Sequence, residues 1–313
     1  MNNERSCAGC HNPAMAFTDG LDKSLAIDRN GTVSRNSPTL INVAYQRDYF
    51  YDLRAKNLEK QVEHVIFSPR EFGGNFAAII EKLNRSNEYR SEFSTAFPEY
   101  PTSNPIQVKP IQNALAAYVR SLVALNAPFD RYIRGESTFL SDEAKEGFNL
   151  FMGKAQCATC HFPPLFNGTV PPKYLESESE VLGVLQRFDT IHPQLDDDPG
   201  RMSEVVSLWM DKSFKTSTVR NVKLTAPYMH NGAFRSLEEV ILFYDHGGGA
   251  GLGLPVPNQT LPSSRLNLDK KEVKALVSFM ESLTDTAGIT AMPGVLPGFG
   301  DEVLDKRKVG GVY

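Results

Sequence analysis

The chain of 313 residues has four cysteines, and all four fall in two copies of one pattern: Ser-Cys-Ala-Gly-Cys-His at 6–11 and Gln-Cys-Ala-Thr-Cys-His at 156–161. A Cys-x-x-Cys pair serves as a redox dithiol or as half of a four-thiolate zinc site. When a histidine follows, it attaches haem c. In the last case the thiols (Cys7 with Cys10, Cys157 with Cys160) add to the porphyrin vinyl groups, and the adjacent imidazole (His11, His161) reaches the iron. The first two uses need no histidine. Its presence after both pairs favours two covalently attached haem c groups. Each histidine then fills one axial position, so function depends on the opposite one: a filled site transfers electrons and an open site binds a ligand.

Helical periodicity surrounds these motifs. Ser141 can cap a helix whose Ala144, Phe148 and Phe151 share a face and lead into Cys157. Ahead of Cys7 stand only Met1 to Ser6, so a comparable helix and an export signal are expected to lie outside the given sequence. Ile111, Leu115, Tyr118 and Leu122 recur at three and four residues, as do Val273, Leu276, Val277, Met280 and Leu283, and both stripes predict core-facing helices. Glu239 to Asp245 continues a helix ended by Gly247 to Gly249, and Leu254 to Ser264 reads as loop.

The chain also repeats itself. At an offset of 179 residues Thr39 aligns with Thr218, Asn42 with Asn221, Val43 with Val222, Tyr49 with Tyr228, Leu58 with Leu237 and Glu59 with Glu238. Chance would give roughly one or two identities in such a window. The expected fold is mainly α: two cytochrome c-like haem domains related by internal duplication, with irregular loops. Residues 1–134 and 135–313 would form the two domains, meeting near Arg134 to Thr138.

Composition removes other classes. A formal charge of −4 offers no basic footprint for nucleic acid. The longest apolar candidate, Ala114 to Ala127, is interrupted by Arg120 and is too short to span a membrane.

In order along the chain, both haem motifs are joined by "NSPTLINVAY" (36–45), "FYDLRAKNLEKQ" (50–61), "SPREFGG" (68–74), "FKTSTVRNVKLTAPYMHNGAFRSLEEVILFY" (214–244) and "SFMESLT" (278–284). With this set, nearly the whole chain resembles the bacterial di-haem cytochrome c peroxidases and their relative, the methylamine-utilisation protein MauG. The resemblance implies a peroxide-reducing oxidoreductase in which electrons reach an open first haem through the second. The second haem's distal ligand is methionine in the peroxidases and tyrosine in MauG, and Tyr244 stands there. Subtracting the offset gives Val65 in the first half, which cannot ligate iron. Some family members close the first haem with a histidine whose position here is Asp28, so no reductive activation is expected. His64, beside Val65, is expected at the surface or behind the site, Met229 is expected to pack, and His246 lies beyond the ligand position.

The resemblance further implies Glu71 as the distal carboxylate that exchanges protons with peroxide, Gln61 as the active-site glutamine and Tyr51 in place of the tryptophan between the haems. Trp209, the single tryptophan, is expected to pack. A structural Ca²⁺ would use the Asn36 side chain and the carbonyls of Thr225 and Pro227. Where MauG has a surface tryptophan this chain has Ala155, so the substrate of MauG is not carried over. The expected partners are hydrogen peroxide and a small electron-transfer protein or protein substrate, with a homodimer as one permitted assembly, in the periplasm where haem c is attached. A cytochrome c peroxidase with a small cytochrome donor and a non-catalytic di-haem carrier are the rival readings.

Overall fold

The computed structural model describes residues 6–289, 291 and 296–306. Helices dominate: α1 (Leu58–Phe67), α2 (Phe76–Asn84), α3 (Asn87–Ala96), α4 (Val108–Ser121), α5 (Pro128–Ile133), α6 (Asp142–Met152), α7 (Leu237–Asp245), α8 (Gly248–Gly251), α9 (Lys270–Glu281) and α10 (Glu302–Asp305). One small antiparallel pair, β1 (Ser179–Val181) with β2 (Ser213–Lys215), places Glu180 opposite Phe214. The mainly α expectation holds. Among the described residues no helix is long and apolar enough to cross a membrane.

The largest core lies where α6 crosses α9. Ser141 caps α6, its hydroxyl accepting from Ala144 N at 3.1 Å, and the buried face carries Ala144, Gly147 and Phe151. Gly147 permits the close crossing, since a Cβ there would stand 1.9 Å from the Ala275 carbonyl oxygen. Around it Phe129, Phe148, Phe151, Phe166 and Phe279 form an aromatic cluster with centroids 5.1–5.7 Å apart, several edge to face. Helix α5 belongs to this core through Phe129, and its Asp130 holds Arg220.

In the first half α1 packs on α4, with Gln112 Nε2 donating to Glu63 at 2.9 Å and Arg120 forking onto Glu59 at 2.8 and 2.9 Å. Here the sequence stripe needs correction. Tyr118 is 53% exposed, and the buried face of α4 is Pro110, Ile111, Gln112 and Ala116. Its polar member Gln112 masks the pattern, because the Glu63 hydrogen bond makes its burial tolerable. Trp209 corrects a second expectation: it lies 77% exposed, with Val206 and Leu208 also exposed. The chain end returns to the first half, where Ser86 Oγ donates to Gly298 O at 2.6 Å and Phe299 packs on Tyr89.

Candidate functional site

Each Cys-x-x-Cys-His segment folds as a tight turn, Cys7–Gly9 and Cys157–Thr159, in which the histidine N–H returns to the first cysteine carbonyl at 2.9 Å. The turn brings two thiols and an imidazole to one side. His11 Nδ1 lies 3.1 Å from Phe17 O, and His161 Nδ1 lies 3.4 Å from Phe166 O. A carbonyl only accepts, so Nδ1 carries the proton and Nε2 presents a lone pair. Burial lowers the pKa of both histidines, that of His161 to about 4, which keeps the rings neutral. This is the tautomer and charge state that haem iron requires.

Among the described residues the two cysteine pairs do not converge on one four-thiolate site. Burial pushes Cys157 up to about 12, so with no cation bound its sulfur keeps the proton. Among the described residues, the cluster of possible metal-ligating groups is Cys160 with Glu178 and Glu180, and it includes neither Cys7 nor Cys10.

Behind each histidine the same contacts recur. Thr39 Oγ1 donates to Ala16 O at 2.7 Å, and Thr218 Oγ1 to Leu165 O at 2.9 Å. Asn42 and Asn221 both take left-handed backbone, at φ 62° and 60°, and their side-chain oxygens accept from Ala124 N and Asp285 N. Tyr49 and Tyr228 hydroxyls donate to the carbonyls of Val43 and Val222, and their N–H groups to those of Ala55 and Phe234. Helix starts match too: Asn57 caps α1 and Ser236 caps α7 through their side-chain oxygens. Val65 therefore stands in α1 where Tyr244 stands in α7.

There the two sites diverge. Tyr244 is pushed above its ordinary pKa by burial, and then by the fields of Cys157, Cys160 and Glu180, so its hydroxyl lies within electrostatic reach of the second pair of thiols. That hydroxyl makes no hydrogen bond with the described residues. Tyr244 packs by its ring on the cluster of Phe234 and Phe243, yet Tyr244, His161 and Cys157 each keep part of their surface open. His246 is engaged at both ring nitrogens, Nδ1 with Leu242 O at 2.6 Å and Nε2 with Arg265 at 2.9 Å. Met229 packs against the apolar cluster of Val184, Leu185, Phe234 and Phe243. In the first half, His64 is exposed and meets the Phe50 ring edge-on at 5.8 Å, while Asp28 sits in a surface turn accepting from Asn30 N.

Glu71 follows α1 in a turn closed by Gly73 N and Glu71 N on Ser68 O and by Gly74 N on Ile66 O. Burial raises its carboxyl above the usual carboxylate range, and the Arg54 field and a Ser68 hydrogen bond oppose this only in part. Gln61 is half-buried on α1 and spends its side-chain amide on no described partner. Tyr51 donates to Asn36 Oδ1 at 3.4 Å and is also pushed up by burial, with Arg35 opposing. Asn36 Nδ2 is held by Leu21 O at 2.8 Å, which aims Oδ1 the other way, and the Thr225 and Pro227 carbonyls accept no hydrogen bond from the described residues.

Sequence reasoning missed the ionic chain joining these parts. Asp52 bridges Arg54 and Arg35, Arg35 forks onto Asp198 at 2.7 and 2.8 Å, and His230 stacks on Phe214 at 3.6 Å while bonding Asp196. Asp52 and Arg54 pair inside a noticed motif, but Arg35 and the Asp198 it forks onto lie outside it, Asp198 far away in sequence.

A mainly helical chain presenting two neutral imidazoles, each beside a cysteine pair, has the make-up of a di-haem protein. The sequence profile described as di-haem cytochrome c peroxidase matches residues 1–138. The cytochrome-c peroxidase IdrP2 of Pseudomonas sp. (strain SCT) is 31% identical, covering 92% of this chain and 78% of its own. The methylamine utilization protein MauG of Methylorubrum extorquens is also 31% identical, over 91% and 74%. Among solved structures, a MauG-like protein associated with microbial copper homeostasis superposes with a TM-score of 0.80 at 27% identity, over 92% of this chain and 86% of that one. The chain belongs to the di-haem cytochrome c peroxidase family, whose members are peroxidase-type oxidoreductases.

Proposed function

We propose that this protein is a di-haem c peroxidase of MauG type, reducing hydrogen peroxide at an open first site with electrons relayed through the second. The observation that carries this reading is the placement of Tyr244 and Val65 at the same position of matching capped helices, since a phenol can ligate iron and an isopropyl group cannot. Haem, once bound, supplies the iron at which peroxide is cleaved and electrons are stored. Cys7, Cys10, Cys157 and Cys160 would hold the two groups by thioether bonds, with His11 and His161 presenting Nε2 and Tyr244 its hydroxyl. Burial by itself disfavours the Tyr244 phenolate, so a cation bound at the oxygen is what would stabilise it.

On the peroxide side, Glu71 takes a proton at its carboxylate and returns it to the departing oxygen, and burial, by raising its pKa, lets it hold that proton more readily than an exposed carboxylate would. Gln61 offers an uncommitted amide to the same space. Tyr51 relays charge between the halves. The only described partner of its hydroxyl, the Asn36 amide oxygen, is a poor proton acceptor, which slows a hop coupled to proton loss. Asn36 Oδ1 with the Thr225 and Pro227 carbonyls would hold Ca²⁺. The matched contacts 179 residues apart support duplication of a haem-bearing unit, with halves 1–134 and 135–313. Haem c attachment places the mature protein in the periplasm, where a small electron-transfer protein or protein substrate serves as donor.

EPR of the resting holoprotein tests this. One high-spin and one low-spin ferric signal are expected, with Tyr244→Phe abolishing the low-spin one. Two low-spin signals would mean a closed first site or a simple carrier. A low-spin signal lost in Met229→Leu and kept in Tyr244→Phe would instead give a methionine-ligated peroxidase with a small cytochrome donor.

A further inference from the structure

The loop between Tyr49 and α1 bends through two left-handed residues, Phe50 at φ 64° and Leu53 at φ 62°, and between them exposes Tyr51 and Asp52 to different neighbours. Asp52 is 3% exposed. One of its oxygens, Oδ2, accepts from Arg35 Nη1 at 2.5 Å and from Arg54 Nη1 at 2.6 Å, while Oδ1 accepts from Arg54 N at 3.3 Å. Arg54 is pinned further by lying 3.5 Å over the Phe50 ring, and Arg35 by its fork onto Asp198. A buried carboxylate between two guanidinium groups sets where both cations can go.

The fields of those cations reach the two groups that matter for turnover. Arg54 is the charged residue whose field reaches Glu71, whose other polar neighbour is the Ser68 hydroxyl. The adjacent Arg70 is turned away onto the carbonyls of Asn30 and Thr32. Arg35 is the charged residue whose field reaches the Tyr51 hydroxyl.

We infer that Asp52 is a positioning residue: bonded to Arg54 on one side and Arg35 on the other, it ties both cations to itself and so tempers the field that one puts on the proton-exchanging carboxylate and the other on the relay tyrosine. The inference rests on the reading of Glu71 as the group that exchanges protons with peroxide. Removing the Asp52 charge leaves Arg54 free to act on Glu71, which stabilises the carboxylate. Removing Arg54 takes away that stabilisation. The two substitutions must therefore move Glu71 in opposite directions, which loss of structure alone would not do.

The test is pH-difference infrared spectroscopy of resting holoprotein, with Glu71→Gln identifying the carboxyl band, alongside the pH profile of peroxide turnover. Glu71 must be ionised to accept a proton, so activity rises as pH passes through its pKa. Arg54→Leu is expected to move band and acid limb upward by about one pH unit, roughly tenfold in protonation ratio. Asp52→Asn is expected to move both downward by about half a unit, and Asp52→Glu to leave both near the parent. Shifts of the same sign in Arg54→Leu and Asp52→Asn overturn the inference, as does an Asp52→Glu shift as large as that of Asp52→Asn. If Asp52→Asn does not fold, Arg35→Leu decides: with its other partner gone Asp52 binds Arg54 alone and tempers it more fully, so the Glu71 band is expected to move upward, and an unmoved band overturns the inference. Turnover untouched in Glu71→Gln would instead sink the Glu71 assignment, leaving the band shifts to report on Asp52 separately.

Discussion

Asp130→Asn should cost this protein more stability than its small chemical change suggests. Arg220 is 2% exposed and forks onto Asp130 at 2.9 and 2.7 Å, with its Nε on Pro164 O at 2.8 Å. Asparagine keeps the shape and an oxygen for the Ala127 N–H, but it leaves a buried guanidinium without a counter-charge. Losing one partner of such a pair costs about 3–5 kcal/mol, and the retained hydrogen bonds favour the lower end. With an unfolding entropy of about 2.1 cal/mol/K per residue, about 3 kcal/mol corresponds to a Tm lower by about 5 °C for a chain of this length. Thermal unfolding of the holoprotein, followed by circular dichroism, measures it. Because Arg220 and Thr218 both anchor the 164–166 segment, and Phe166 O orients His161, the second site's spectrum should loosen at lower temperature as well. Asp130→Asn combined with Arg220→Met should recover at least half of the loss. An Asp130→Asn protein within about 1 kcal/mol of the parent, below the smallest cost of an uncompensated buried charge, refutes this account. So does a double variant no more stable than the single one.

Gly147→Ala should destabilise by at least about 1–3 kcal/mol, since the new Cβ meets backbone of α9 that cannot rotate away; denaturant titration checks this, and a neutral result would mean that the helices separate freely. Asn42→Ala should be worse than Asn221→Ala by about 1 kcal/mol. Both force alanine into left-handed backbone, but Asn42 loses two hydrogen bonds with Ala124 whereas Asn221 loses one with Asp285 and has a side-chain nitrogen already unpaired. Urea midpoints of equal value in the two variants would contradict that difference.

Much of the site could be read before the fold was known, and the readable parts are local. Cys7, Cys10 and His11 are brought together by a turn within their own segment, as are Cys157, Cys160 and His161. The starts of α1 and α7 follow from Asn57 and Ser236, whose caps reach only three residues ahead, so the register of Val65 against Tyr244 was legible too. Less was visible where one residue's environment depends on a distant one. Spacing alone puts Tyr118 on the inward stripe of α4, because nothing nearby in sequence shows that Glu63 takes up Gln112. Trp209 was expected to pack, yet the 201–211 segment leaves its ring on the surface.

The sequence alone determined which chemical groups are present and in what local register, since bonded spacing and helix period allow a cysteine pair, a cap or a ligand position little choice. Only the tertiary structure decided their charges and partners: which imidazole nitrogen points outward, that His246 is spent on Leu242 and Arg265, and that Asp52 draws Arg35 and Arg54 together with Asp198 from the other half of the chain. Those outcomes depend on desolvation and on contacts made through space, and neither is encoded at any single position.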